Sequence, residues 1–254
     1  MPRIDFIVGD GGVLRPSVIV EPDGPVTSQF FPADGTANGT TRVMAIGDSL
    51  TLGQGGSTTG GYRHTLWQKL AAAGLPFLPC GESTQPPYSD TGTGYYGSRW
   101  SGFGGWKMAD LMDGTPGSGS NQTGRAIPEW FASHNPHVLL LMIGTNDLTE
   151  TSNQTTLRAR FNALLDLIYD LRPSIPIVLA KIPHLREPWG STAQYGDMTA
   201  EVLAERVALN PARKTAVADM TAITGASKYS DAVHLGPTGY AEMADLWYDA
   251  VTTA

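Results

Sequence analysis

Three short clusters of polar residues contain the side-chain types that nucleophilic catalysis needs. They are Gly47-Asp48-Ser49-Leu50, Gly144-Thr145-Asn146-Asp147 and Asp231-Ala232-Val233-His234. A serine hydroxyl is a poor nucleophile until a base takes its proton, and histidine titrates in the range that suits this task. The histidine in turn needs a carboxylate that fixes its tautomer and stabilises its cation. Ser49, His234 and Asp231 therefore form a candidate catalytic triad.

The same chemistry needs hydrogen-bond donors for the negative charge that develops on the substrate carbonyl oxygen. The backbone N–H of Ser49, a glycine N–H and the Asn146 side-chain amide would suit. Each cluster also has a structural interpretation, since such residues are common in turns and caps. We interpret Asp48 and Asp147, which flank the key residues, as scaffolding rather than as proton carriers. The joint occurrence of the three clusters favours the catalytic interpretation.

The clusters follow predicted strands of an α/β fold. Apolar runs alternate with stretches whose apolar residues recur at helical spacing, which predicts parallel strands with helices on both faces. Strands are predicted at 43–46, 77–80, 138–143, 175–182 and 215–220, and helices at 62–73, 108–112, 157–171, 198–209 and after Pro237. The run Val138–Ile143 is typical of a central strand buried on both faces. Sites in such sheets lie beyond the carboxyl ends of the strands, where all three clusters are expected to meet.

The composition is that of a folded, acidic protein. The 254 residues are 41% hydrophobic and only 16% charged, which is too apolar for a disordered chain. The net charge of −7 argues against general binding to nucleic acid or to an anionic membrane. A single cysteine, Cys80, excludes an internal disulfide framework. No apolar run approaches the roughly 20 residues that span a bilayer, and the oligomeric state stays open.

Residues 1–41 differ from the rest of the chain and are predicted to form a β-type extension. Ile4–Val8 and Val13–Val20 are short β-type runs, and a stretch rich in Pro, Gly and Thr follows them. We expect an edge hairpin or arm that packs on the main domain, which spans 42–254. The alternative is a segment for oligomerisation or anchoring.

The three clusters, in this order, resemble blocks I, III and V of the SGNH (GDSL) hydrolase superfamily. Block II requires a glycine, and Trp100-Ser101-Gly102-Phe103-Gly104-Gly105-Trp106 lies in the right interval. The Gly105-Trp106 pair resembles block II of acetylxylan-esterase-like members, which points to Gly105, while Gly102 and Gly104 stay open. The resemblance covers 42–254. It implies a flavodoxin-like three-layer α/β/α sandwich with a central parallel sheet of about five strands.

This resemblance assigns a role to each candidate residue. It implies Ser49 as nucleophile, His234 as general base and Asp231 as its orienting partner. The oxyanion hole would consist of the Ser49 N–H, the Gly105 N–H and the Asn146 side chain. The implied reaction is ester hydrolysis through an acyl-enzyme, with no metal or organic cofactor. The family also implies a secreted protein, but the chain begins without a signal-peptide pattern, so a cytoplasmic location stays open.

Residues beyond the nucleophile also resemble carbohydrate esterase family 3. They are Gly61-Tyr62-Arg63 followed by Leu66-Trp67-Gln68-Lys69-Leu70, together with Gly105-Trp106 of block II, and the similarity implies deacetylation of a polysaccharide such as xylan. Candidate substrate contacts are Tyr62, Arg63, Trp100, Phe103 and Trp106. The loop aromatics Tyr95, Tyr96, Trp100, Phe103 and Trp106 could form a platform that stacks on sugars, with Trp189 as a further candidate. The alternative is that these aromatics pack a long loop.

Two other functions fit the same residues. One is a lipase or thioesterase that uses the same catalytic groups on lipid or thioester substrates. The other is a non-catalytic module that binds glycans through its aromatic loops. The presence of all the candidate catalytic residues together favours an enzyme over such a module.

Overall fold

The protein was analysed as a computed structural model. The structure describes residues 3–8, 14–19, 28–31, 41–56, 60–82, 99–114, 124–185 and 192–253. The predictions for Tyr95, Tyr96 and Trp189 fall outside these residues.

The described chain has eight strands, and six of them form one parallel sheet. The six are β3 (Thr41–Gly47), β4 (Phe77–Cys80), β5 (Ser101–Gly102), β6 (Val138–Met142), β7 (Ile177–Lys181) and β8 (Thr215–Asp219), while β1 (Arg3–Val8) and β2 (Leu14–Ile19) pair separately. The sheet order is β4-β3-β6-β7-β8, with the short β5 also paired to β3. β6 lies in the middle and all its residues are buried, as its continuous apolar sequence predicts. Gly47 of β3 pairs with Met142 of β6, so the chain leaves both strands at one edge of the sheet.

Eight α-helices cover this sheet in the described chain. They are α1 (Ser49–Leu52), α2 (Tyr62–Ala72), α3 (Met108–Asp113), α4 (Ile127–His134), α5 (Thr145–Glu150), α6 (Gln154–Leu171), α7 (Thr192–Leu209) and α8 (Pro237–Thr252). α2 packs against α8, while α6 contacts α3, α4 and α7. The buried residues of α6 recur at helical spacing, because one stripe of the helix faces the core. The predicted α/β class with a central parallel sheet and flanking helices is confirmed. Among the described helices, none combines the length and the apolar character needed to cross a membrane.

Four short elements are absent from the sequence-based prediction. They are α1, β5, α4 and α5, which have between two and eight residues. Elements this short carry little periodicity, so only some of them, such as β4 and α3, are predicted from the sequence. β5 lies within the region predicted as a long loop, yet it pairs with the end of β3. Two of these elements, α1 and α5, begin within the first two polar clusters.

The amino-terminal strands β1 and β2 pair antiparallel, with Arg3 opposite Ile19 and Val8 opposite Leu14. The pairing agrees with the two β-type runs expected in residues 1–41. The packing of this hairpin on the main domain, and the domain boundary itself, stay predictions.

Candidate active site

Ser49 lies at the point where β3 turns sharply into α1. A side chain at Gly47 would overlap the Met142 carbonyl oxygen, so the end of β3 can approach β6 only with glycine here. The Asp48 side chain then caps α1 by accepting the Leu50 N–H at 2.9 Å. The turn therefore presents Ser49 at the carboxyl edge of the sheet, next to the end of the central strand.

The structure brings Ser49, His234 and Asp231 into one hydrogen-bonded series. His234 Nε2 lies 2.9 Å from Ser49 Oγ, and His234 Nδ1 lies 2.8 Å from Asp231 Oδ2. The other carboxylate oxygen of Asp231 accepts the N–H groups of Val233 and His234 at 2.8 and 2.7 Å. This turn holds the carboxylate in place, and the carboxylate holds the imidazole ring. Partial burial raises the pKa of Asp231, but the hydrogen bonds to its carboxylate have a larger effect, so the pKa lies below its ordinary value.

The loop that carries His234 and the helix α8 after it both contact the segment that follows α1. Tyr240 Oη donates to the Gln54 carbonyl oxygen at 2.7 Å. Gly55 has a φ of +83°, and a Cβ there would come within 2.8 Å of the His234 Cβ. The two segments can therefore approach closely because glycine occupies position 55. This packing sets the distance between two side chains that lie 185 positions apart in sequence.

Asn146 lies on α5, directly after the central strand. Its Nδ2 donates to the Trp106 carbonyl oxygen at 2.8 Å, and an amide nitrogen carries a second N–H that can serve a ligand. The preceding Gly144 has a φ of +119°, and a side chain there would overlap the Tyr195 hydroxyl. Tyr195 Oη donates to the Ile143 carbonyl oxygen at 2.8 Å. Tyr195, which the sequence did not single out, thus supports the turn that presents Asn146.

The three candidate glycines of block II have different surroundings. Gly102 lies in β5, where a Cβ would approach the Leu52 nitrogen to 2.7 Å, so close packing accounts for this glycine. A Cβ at Gly104 would make an ordinary van der Waals contact, with Gln54 Oε1 at 3.6 Å, so packing does not require glycine there. Gly105 has a φ of +78° and adjoins Trp106, whose carbonyl Asn146 binds. This arrangement supports Gly105 as the oxyanion donor, and that role stays a prediction.

Two buried carboxylates flank the site. Burial raises the pKa of Asp48 to about 6, against the opposing effects of the Leu50 N–H, the Thr145 hydroxyl and the nearby His234. Burial also raises the pKa of Asp147, which accepts hydrogen bonds from the Met108 N–H and from Arg160. Both carboxylates contact backbone or neighbouring side chains rather than Ser49, which agrees with their interpretation as scaffolding.

Residues 45–242 match the GDSL-like lipase/acylhydrolase family. The chain belongs to this family. It is 27% identical over 230 residues to a multidomain esterase of Ruminococcus flavefaciens. The aligned region covers 87% of this chain but only 29% of that protein. The solved structure of a Clostridium thermocellum family 3 carbohydrate esterase superposes with a TM-score of 0.67 and 25% identity, over 83% of this chain and 94% of that one. A family 3 carbohydrate esterase from Talaromyces cellulolyticus gives a TM-score of 0.62 at 20% identity, over 82% and 95% of the two chains.

In this GDSL-like protein the five candidate substrate contacts are all buried: Tyr62, Arg63, Trp100, Phe103 and Trp106. Phe103 stacks on Trp106 with ring centroids 4.3 Å apart, and both rings also stack with Trp130. These aromatics have no free face for a sugar ring, because the loop folds them into the core. Their burial favours the alternative that these aromatics pack the loop, and a sugar-stacking role for them stays a prediction.

Arg63 and Tyr62 contact other side chains and backbone groups within the fold. Arg63 Nε donates to the Thr51 carbonyl oxygen at 2.8 Å, and its guanidinium lies 3.9 Å from the centre of the Trp100 ring. Tyr62 stacks on Trp247 of α8, with ring centroids 5.7 Å apart. Arg63 thus binds the carbonyl end of α1, the helix that begins at Ser49.

Within the described residues, no group of three His, Cys, Asp or Glu side chains is placed to hold a metal ion.

Proposed function

We propose that the chain is a serine esterase that removes acetyl groups from a polysaccharide such as acetylated xylan. The observation that carries this proposal is the hydrogen-bonded series from Ser49 Oγ through His234 to Asp231, with distances of 2.9 and 2.8 Å. Both distances are short enough for direct proton transfer and for orientation of the ring. The family match and the esterase relatives favour ester hydrolysis as the reaction.

The proposed reaction begins with the Ser49 hydroxyl donating to His234 Nε2, while His234 Nδ1–H donates to Asp231. As Ser49 Oγ attacks the ester carbonyl carbon, His234 takes the hydroxyl proton and Asp231 stabilises the resulting imidazolium. His234 then passes this proton to the leaving alcohol oxygen, the carbon–oxygen bond breaks, and an acyl group remains on Ser49. A water molecule, deprotonated by His234, attacks the acyl-enzyme. Collapse of the second tetrahedral intermediate releases the acid and returns the proton to Ser49.

Both tetrahedral intermediates carry a negative oxygen. We assign its stabilisation to the N–H groups of Ser49 and Gly105 and to the free N–H of Asn146. Preorganised donors of this kind act mainly on the transition state, and loss of one costs a factor of about 10²–10³ in kcat. The contact between Asn146 and the Trp106 carbonyl holds the amide in place before substrate arrives.

The choice of an acetylated polysaccharide rests on the relatives. One similar solved structure, at 25% identity, is a carbohydrate esterase of family 3, and the superposition covers most of both chains. A polysaccharide is too large to enter a cell intact, so the proposal extends to an extracellular site of action. The described substrate-contact candidates are buried, so we place no sugar-binding role on them.

The test compares hydrolysis of acetyl, butyryl and octanoyl p-nitrophenyl esters with release of acetate from acetylated xylan. Wild type, Ser49→Ala and Ser152→Ala are assayed together, with Ser152 as an exposed serine outside the site. We expect activity on acetyl esters and on xylan that disappears only in Ser49→Ala. Ser49-dependent activity that favours octanoyl would replace the polysaccharide with a lipid or thioester substrate. Absence of hydrolysis by the wild type, or activity that survives in Ser49→Ala, would overturn the proposed mechanism.

A further inference from the structure

The two sides of the proposed oxyanion hole lie on different segments of the chain. Asn146 belongs to α5, whereas Gly105 belongs to the segment that leads from β5 into α3. The Asn146–Trp106 hydrogen bond joins these segments, but its donor is the same amide group that must serve the substrate. A second contact between the segments would hold their separation without using the amide.

Asp147 provides such a contact. Its Oδ2 accepts the N–H of Met108 at 3.1 Å. Met108 is the first residue of α3, three positions after Gly105, and N–H groups in the first helical turn lack an acceptor within the helix. The Asp147 side chain is completely buried. It therefore connects the residue next to Asn146 with the segment that carries Gly105.

A series of ion pairs surrounds this contact. Arg160 of α6 donates from Nη1 to Asp147 Oδ1 at 3.2 Å and to Glu150 Oε2 at 2.6 Å. Glu150 also pairs with Lys107 at 3.4 Å, and Lys107 directly precedes Met108. These ion pairs thus connect α5 with α6, and α5 with the residue that precedes α3. A buried carboxylate is costly unless it is paired, and Arg160 together with the Met108 N–H supplies the pairing.

From this geometry, and on the basis of the proposed function, we propose that Asp147 is a positioning residue. It sets the separation between the Asn146 amide and the Gly105 N–H, the two donors that lie on either side of the oxyanion. The hydrogen bonds of Asp147 join it to Met108 and Arg160 rather than to Ser49. Its effect is therefore expected in the transition state, where a small displacement of a donor matters most.

The test uses Asp147→Asn and Asp147→Ala, with Asp166→Asn as the matched control. Asp166 is an exposed residue of α6 that pairs with Arg206 at 2.8 Å, so its replacement also removes an Asp–Arg ion pair. We expect Asp147→Ala to lower kcat for p-nitrophenyl acetate by about 10- to 100-fold with little change in KM, because the donors act on the transition state. Asp147→Asn, which keeps one oxygen acceptor, should show a smaller loss. Asp166→Asn should behave like wild type.

A double-mutant cycle separates positioning from a general loss of structure. If Asp147 acts through Asn146, Asp147→Asn should lower kcat much less in an Asn146→Ala background than in wild type. Additive losses in the cycle, or a kcat within twofold of wild type for both Asp147 variants, would overturn the inference. Circular dichroism and thermal melting identify a variant that fails to fold, and Asp147→Asn then carries the test. Failure of the proposed function itself is distinguished by Ser49→Ala, because in that case the wild-type activity would not depend on Ser49.

Discussion

The fully buried carboxylate of Asp48 predicts an unusual dependence of stability on pH. Burial raises the pKa of Asp48 from its ordinary value of 3.8 to about 6. Between these two values the folded state binds more protons at this site than the unfolded state does. The contribution of Asp48 to the free energy of unfolding is therefore greatest below a pH of about 4, and it falls as the pH rises through about 6.

The magnitude follows from the two pKa values. Each pKa unit corresponds to about 1.4 kcal/mol, so the change from 3.8 to about 6 corresponds to about 3 kcal/mol. Asp48→Asn removes the titration but keeps an oxygen that can accept the Leu50 N–H, since asparagine caps helices about as well as aspartate. The unfolding free energy of Asp48→Asn minus that of wild type should therefore grow by about 3 kcal/mol from a pH of about 4 to a pH of about 7.

The assay is urea denaturation, followed by tryptophan fluorescence, at several pH values and constant ionic strength. Groups that do not interact with Asp48 contribute equally to both proteins, so the difference reports Asp48 together with its electrostatic coupling to His234 and Asp147. The control is Asp166→Asn, which removes a carboxylate that is 56% exposed. A difference between Asp48→Asn and wild type that stays constant with pH would refute the reasoning, because the buried carboxyl would then titrate at its ordinary pKa.

Three other substitutions test the geometry of the site. His234→Ala should leave the fold intact and lower esterase turnover by a factor on the order of 10³ or more, because Ser49 then lacks its base; near-wild-type turnover would exclude the triad. Asn146→Ala should lower kcat by about 10²–10³, and an effect confined to KM would remove Asn146 from the oxyanion hole. Gly144→Ala should lower the free energy of unfolding by about 1–3 kcal/mol, since φ is +119° and the new methyl group meets Tyr195. An unchanged urea midpoint would contradict this account of Gly144.

Much of the fold could be predicted because its signals are local. The continuous apolar run of β6 and the helical spacing of apolar residues in α6 are properties of neighbouring residues, and both elements lie where they are predicted. Short elements such as α1 and β5 could not be predicted in this way. β5 has two residues and exists because it pairs with the end of β3.

The candidate site could be predicted in outline for a related reason. Parallel strands of one sheet end at a common edge, so polar clusters that follow successive strands must come together. That argument places Ser49, Asn146 and His234 near each other without any knowledge of distances. It does not predict Tyr195 or Arg160, because no spacing in the sequence connects them with the site that they support.

Burial and electrostatics depend on groups that are distant in sequence, and here the tertiary structure was needed. The aromatic residues before and within block II were expected as a sugar platform, yet Phe103 and Trp106 stack with Trp130 in the interior. Arg63, another candidate substrate contact, binds the carbonyl end of α1. The pKa of Asp48 rises because the packed core removes its carboxylate from water. Residue types and their order are thus sufficient to propose the chemistry, whereas exposure and charge state follow from contacts that only the folded chain brings together.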